Sequence, residues 1–254
     1  MITFAQRLQA STPVMTKTNN PKQLVDATLF APTIRLDVRY ATDDNFLGRA
    51  VYEKPRVFLA KSPAKALRRI ARTLKKEGLG IILFDGYRPP AVVQTFWDET
   101  PDHLKKFLTN PAIGGRHCRG YSVDLTLYDL TTGKPLLMPS AYDDFTDKAS
   151  PDYSGGTAEQ RKNRDKLIAV MGKEGFSVHP CEWWHFDYPN WENQPIIKST
   201  FDAIDQRFFH RIKKLFSRLY NAIRRILGLK DGKPLQDDDR RLNQISRSDA
   251  LHIA

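Results

Sequence analysis

Apolar positions recur at spacings of three and four in SPAKALRRIARTLKKE, where Ala66, Leu67, Ile70 and Leu74 share one side. That pattern predicts an amphipathic helix over 62–77 with one face on a core. Ser62 suits its N-cap, Pro63 its first helical position, and Gly78 follows as a stop. The next segment, LGIILFD, is a short apolar run rich in β-branched residues and predicts a buried strand ending at Asp85. GYRPP must leave that strand, because two prolines cannot continue a ladder, and AVVQTFWDET predicts a further helix. Further along, YSVDLTLYD alternates as a strand does, TAEQRKNRDKLIAVMGKEG reads as a helix and EWWHFDY as another strand. Helices and strands mix without a regular βαβ rhythm, so the fold class expected is α+β: a small mixed or antiparallel sheet with flanking helices.

Both ends differ from this middle. Residues 1–23 are polar, with Pro13, Pro21 and an Asn pair, and read as a flexible arm; 24–206 read as one body. In 207–254, Phe208, Ile212, Leu215, Leu219, Ile223 and Ile226 share one helical face, while Arg207, Arg211, Lys214, Arg218 and Arg225 share another. A basic amphipathic helix is predicted there, followed by a polar tail. The first expectation is that its apolar face docks on the body or on a second subunit, with the charges solvated. The alternative is peripheral contact with an anionic membrane through 207–230.

Charge sharpens this division. The 254 residues carry a net charge of +11, yet eight basic residues and no acidic one lie between Arg207 and Lys230, so only +3 belongs to the rest. The body is close to neutral, and nucleic acid is not an expected partner. Hydrophobic residues make up 41% and aromatics 11%, enough for a packed core. No apolar run approaches the roughly 20 residues that span a bilayer. The first twenty residues hold no continuous apolar stretch, and a cytoplasmic location is expected. Cys118 and Cys181 are expected as two reduced, packed thiols.

Three clusters can carry chemistry: FDGYRPP, GRHCRGYSVDLTL and CEWWHFDY. The last two supply His117, Asp124, Glu182 and His185. Two imidazoles and one carboxylate suit zinc, with a fourth position left for water. Hydrolysis also needs a base that is not itself a ligand. On a regular strand Glu182 and His185 would face opposite ways, so a twist or bulge is required for both to serve. Arg88, at the turn after a buried strand, could meet a developing oxyanion. By spacing alone the same residues fit an ordinary polar surface: a turn arginine, an edge glutamate, and a His and an Asp seven apart. His103, His179, His210 and His252 lack comparable company and read as ordinary surface or packed histidines.

Joined by a fourth cluster, DVRYATDDNFLG (Asp37 to Gly48), these segments resemble the D-alanyl-D-alanine dipeptidases, zinc enzymes of the vancomycin-resistance type. The resemblance runs from about Leu24 to Tyr188, with the clusters in family order. It implies a zinc peptidase domain over 24–206 with one Zn²⁺ per chain, held by His117, Asp124 and His185. It further implies Glu182 as general base and acid, Arg88 as the stabiliser of the tetrahedral intermediate, and hydrolysis of a small D,D-dipeptide to two D-alanines. Asp143 falls where the family has a carboxylate for the substrate ammonium; a solvated loop aspartate is the alternative.

The sequence also departs from the family. Gly115 stands where a serine is usual, Gly120-Tyr121-Ser122 replaces a Gly-Ser/Ala pair, and MPSAY precedes Asp143 in place of Met-Gly-Thr-x-Phe. The departures touch substrate contacts and leave the implied zinc set intact. They keep open a related cell-wall peptidase, a D,D-carboxypeptidase or L,D-endopeptidase. A zinc-fold binding protein without turnover is the remaining alternative, against which the intact Glu182 and Arg88 speak.

Overall fold

Strand β4 (Leu79–Asp85) is buried along its whole length, as its unbroken apolar run requires, and the rest of the body is arranged around it. The computed structural model describes residues 24–226. The expectations for 1–23 and for the tail from 227 onward lie outside the described residues.

Seven strands and four α-helices form the described chain. A short antiparallel pair joins β1 (Leu24–Asp26) to β3 (Phe58–Ala60). The main sheet has the order β2-β4-β5-β7-β6, with β2 at Ile34–Leu36, β5 at Ser122–Asp129, β6 at Ser177–His179 and β7 at Glu182–Asp187. Only β2 and β4 run parallel; the other pairs are antiparallel. The expected α+β class with a small mixed sheet is borne out.

Helix α1 (Lys61–Lys76) begins before Ser62, with Ala60 in the cap position and no side-chain cap. Ser62 therefore lies inside the first turn. The predicted face is as expected: Ala66, Leu67, Ile70 and Leu74 are buried against β3 and β4. Each of the three larger side chains contributes roughly 1.5–3 kcal/mol of burial. Helix α2 (Pro90–Glu99) has Pro89 in its cap position and opens on Pro90, whose fixed φ suits the first turn. Helix α3 (Ala158–Lys173) opens on a capping box in which Thr157 and Gln160 each bond the other's backbone N–H. It packs against β5, β6, β7 and α1 through Leu167, Val170 and Met171.

Strand alternation divides the sheet into an apolar and a polar-bearing side. Val123, Leu125 and Leu127 of β5 point one way, with Leu83 and Ile81 of β4 and Phe186 of β7 in register beside them. Asp124 and Thr126 point the other way. Asp124 and His185 are direct cross-strand partners, so the register alone brings two charged or basic groups to one spot.

The chain divides into two compact units between Ile204 and Asp205. Helix α4 (Phe201–Ile226) begins in the first, where Phe201 packs on Tyr52 at 4.8 Å between ring centroids. No helix among the described residues is long and apolar enough to cross a membrane.

Candidate metal centre and its surroundings

Two irregularities in the sheet build the site. Between β4 and β5 the register steps from Leu83↔Leu125 to Asp85↔Asp124, so two residues of β4 oppose one of β5. That bulge turns Asp85 toward the side of Asp124. Between β6 and β7 the register passes from Val178↔Phe186 to His179↔Glu182, one step on β6 against four on β7. This break answers the alternation problem: Oε2 of Glu182 comes within 3.6 Å of Nδ1 of His185.

His117 arrives from outside the sheet. It sits in a single 3₁₀ turn, His117–Arg119, closed by Gly120 in the left-handed region at φ +68°. Its Nδ1 donates to the carbonyl of Gly86 at 2.7 Å, and the amide of Arg88 donates back to the His117 carbonyl at 3.3 Å. Because a carbonyl only accepts, the proton is on Nδ1 and Nε2 carries a lone pair. His185 is fixed in the opposite sense, with Nε2 donating to Oδ1 of Asp187 at 3.0 Å. Its Nδ1 then faces Nε2 of His117 at 3.1 Å and Oδ1 of Asp124 at 3.1 Å.

His117, Asp124 and His185 are all buried, and a ligand atom from each lies within 4.8 Å of the other two. Oδ1 of Asp124 is buried with no hydrogen-bond partner of its own. Three potential ligand atoms thus converge, with both imidazoles held from their outer sides, which fits a cation and in particular zinc with its N and O ligands. The electrostatics agree. Burial alone would lower His185, but the Asp124 and Asp187 carboxylates beside it outweigh that and push the imidazole up to about 10. Burial would raise Asp124, yet His117 and His185 hold its carboxyl well below the usual range. The pocket draws positive charge.

Around this centre stand the other implied groups. Arg88 forms two bonds to Oδ2 of Asp85, from Nε at 2.9 Å and Nη2 at 2.8 Å, and Nη2 is 3.8 Å from Asp124. Its guanidinium lies over the adjoining rings of Tyr40 and Phe96, at 5.1 and 5.0 Å. Burial raises the Glu182 carboxyl, with His185 opposing. Asp143 adopts φ +59°, and its Oδ2 is buried without a partner. Burial pushes its carboxyl up to about 8; a Tyr40 hydrogen bond and Arg88 oppose, while the Asp124 and Glu182 charges add to the rise. Asp143 therefore stands among the site's charges and is not a solvated loop residue.

Several groups here carry no local sequence signal. Asp187 is held by Ser122 Oγ at 2.6 Å and by Arg116, and Asp85 also accepts from Tyr52 at 2.9 Å. Tyr142 donates to Oδ2 of Asp124 at 3.1 Å and stacks on Phe84. Tyr40 lay within the Asp37–Gly48 segment, and Asp187 two places after His185, but nothing in their spacing singled them out. His179 is packed but not without company: its ring lies 5.1 Å from that of His185, and burial, with His185 adding, lowers its pKa to about 4. His103 and His210 are exposed, and His252 lies outside the described residues. Cys118 is a buried free thiol as expected, but Cys181 is exposed and not packed. The Tyr121 ring pairs with that of Tyr188 at 6.2 Å.

Comparison with known proteins gives the same direction. The peptidase family M15 model, described as D-ala-D-ala dipeptidase, matches residues 20–213. The D-alanyl-D-alanine dipeptidase of Escherichia coli (strain K12) is 30% identical over 181 residues, covering 71% of this chain and 92% of that protein. That of Enterococcus faecium is 33% identical over 180 residues, covering 62% and 89%. That of Streptomyces coelicolor is 36% identical over 171 residues, covering 60% and 85%. The chain belongs to the D-alanyl-D-alanine dipeptidase family of zinc metallopeptidases.

Proposed function

We propose that this enzyme hydrolyses the D-Ala-D-Ala dipeptide to two D-alanines at a single zinc held by Nε2 of His117, a carboxylate oxygen of Asp124 and Nδ1 of His185. The observation that carries the reading is the convergence of those three atoms, with Glu182 3.6 Å from His185 and Arg88 3.8 Å from Asp124. When bound, zinc supplies Lewis acidity toward the scissile carbonyl and toward water.

The chain's own residues divide the remaining work. Glu182, with its carboxyl raised by burial, takes a proton from the attacking water and returns it to the departing amine nitrogen. Arg88 offers a fixed positive charge to the oxygen that becomes anionic, and Asp85 holds it in orientation so that no reorganisation is needed. Asp143 receives the substrate ammonium. Trp183 and Trp184, both buried, keep the surroundings dry, with Trp183 anchored by its indole N–H to Ser140 Oγ at 2.9 Å.

The test is release of free D-alanine from D-Ala-D-Ala and from longer cell-wall peptides by zinc-loaded protein. Turnover of the dipeptide is expected, lost on chelation and restored by zinc. Glu182→Gln should lower kcat by about 10²–10⁴ while zinc stoichiometry is unchanged. Normal turnover in that variant would refute the assigned base. Cleavage of only the longer peptides would move the enzyme to the carboxypeptidase or endopeptidase reading, and inertness of the zinc-loaded protein toward every peptide would leave a binding role.

A further inference from the structure

Beyond the catalytic body, α4 presents a surface that the peptidase reading does not use. Leu215, Phe216, Leu219, Ile223 and Ile226 are exposed, at 66%, 65%, 54%, 46% and 83%. At about 100° per residue they fall within an arc of about 100°. Arg207, Lys214, Arg218 and Arg225, also exposed, cluster on the far side, and 206–226 hold seven basic residues and no acidic one. An aliphatic and aromatic arc of this size is normally covered.

We propose that residues 206–226 of α4 bind an anionic lipid bilayer, with the apolar arc in the boundary between headgroups and acyl chains and the basic side chains on the lipid phosphates. Charge complementarity selects this occupant. A second copy docked on the apolar arc would leave the basic residues, which lie off that arc, without a counter-charge, whereas an anionic bilayer surface engages both the arc and the charges. A nucleic acid would use the basic residues but leaves the apolar arc without a function. The helix is long, yet it is not apolar enough to cross a membrane, which suits lying in the interface plane. Docked this way, the enzyme would work at a bilayer surface while its zinc centre remains complete within the first unit.

Co-sedimentation of the full chain with vesicles tests this without reference to catalysis. Binding is expected to vesicles of mixed phosphatidylglycerol and phosphatidylcholine and not to phosphatidylcholine alone. Each basic residue near such a surface is worth roughly fivefold in partitioning, so Arg218→Gln with Arg225→Gln should weaken it about 25-fold. Leu219→Asp with Ile223→Asp should abolish it while turnover of a soluble dipeptide is unchanged. Three results overturn the proposal: no sedimentation with phosphatidylglycerol vesicles, binding indifferent to Leu219→Asp and Ile223→Asp, or a dimer that these substitutions dissolve in a protein that never binds vesicles. The two arginine substitutions retain the apolar arc and give an independent reading should the aspartate variant fail to fold.

Discussion

Nε2 of His185 lies 3.0 Å from Oδ1 of Asp187, and this contact decides which nitrogen of the ring faces the candidate zinc position. Asp187 is itself immobilised, accepting from Ser122 Oγ and pairing with Arg116, whose guanidinium stacks over Trp191 at 4.7 Å. The His117 side is built on the same logic with a different acceptor, the Gly86 carbonyl. Both imidazoles are oriented from behind before any metal arrives.

Removing the carboxylate behind His185 should therefore loosen the metal. Asp187→Ala is expected to weaken zinc binding by about 10–100-fold, and Asp187→Asn, which keeps an acceptor oxygen, by less. Competition with a chromophoric chelator measures both. Equal affinity in the alanine variant and the parent would mean that Asp187 does not set the ring.

Arg88 depends on Asp85 in a comparable way, and substituting it separates charge from geometry. Lysine keeps the charge but lacks the planar fork whose Nε and Nη2 both reach Asp85. Arg88→Lys should lower kcat by about 10²–10³ with little change in KM or zinc content. Arg88→Ala is less informative, because it strands the fully buried Asp85 carboxylate and costs about 3–5 kcal/mol of stability. Retention of full kcat by the lysine variant would remove Arg88 from the chemistry.

How much of this was legible in the sequence follows from the range of the interactions involved. Leu67, Ile70 and Leu74 declared their helix face, and Leu79–Asp85 its strand, because period and apolar runs are local. His117, Asp124, His185, Glu182 and Arg88 were legible through motif segments. What set their geometry was not. The bulge at Leu83/Asp85 and the four-for-one register at β7 arise from pairing between distant strands, and no single segment encodes them. Gly86 holds His117 through a backbone carbonyl, an interaction blind to side-chain identity. Likewise His179 looked solitary because its neighbour His185 stands on the adjoining strand, next in line after the pairs Ser177↔Asp187 and Val178↔Phe186.

Asp143 allows a test in which the backbone is left undisturbed. Asparagine tolerates the left-handed region nearly as well as aspartate, so Asp143→Asn should keep φ near +59° and the fold intact. Loss of the carboxyl that an arriving ammonium would ionise should lower kcat/KM for D-Ala-D-Ala by about 10–100-fold, mainly through KM, with no loss in Tm. The parent should also discriminate against N-acetyl-D-Ala-D-Ala, and the variant should lose much of that discrimination. If the two enzymes distinguish the free and acetylated substrates equally, Asp143 does not read the ammonium.

Gly86 links the packing of the sheet most directly to the metal centre. A Cβ placed there would meet the Phe58 carbonyl oxygen at 2.7 Å and Cγ1 of Val57 at 2.8 Å, both closer than atoms can rest. The first contact is backbone and cannot swing away, so Gly86→Ala must move the turn that follows β4. That turn carries the carbonyl on which Nδ1 of His117 is pinned and, two residues on, Arg88. Overpacking of this kind costs about 1–3 kcal/mol, which for a body of this size lowers Tm by about 2–4 °C for each kcal/mol. The displacement should also weaken zinc binding, because Nε2 of His117 turns with its ring. A distant overpacking control, Gly80→Ala against the Tyr128 ring and the Thr33 carbonyl, should lower Tm while leaving zinc affinity unchanged. Calorimetry and zinc titration of the two variants separate the effects: equal loss of zinc affinity in both would show that general destabilisation, and not the Gly86–His117 bond, governs the centre.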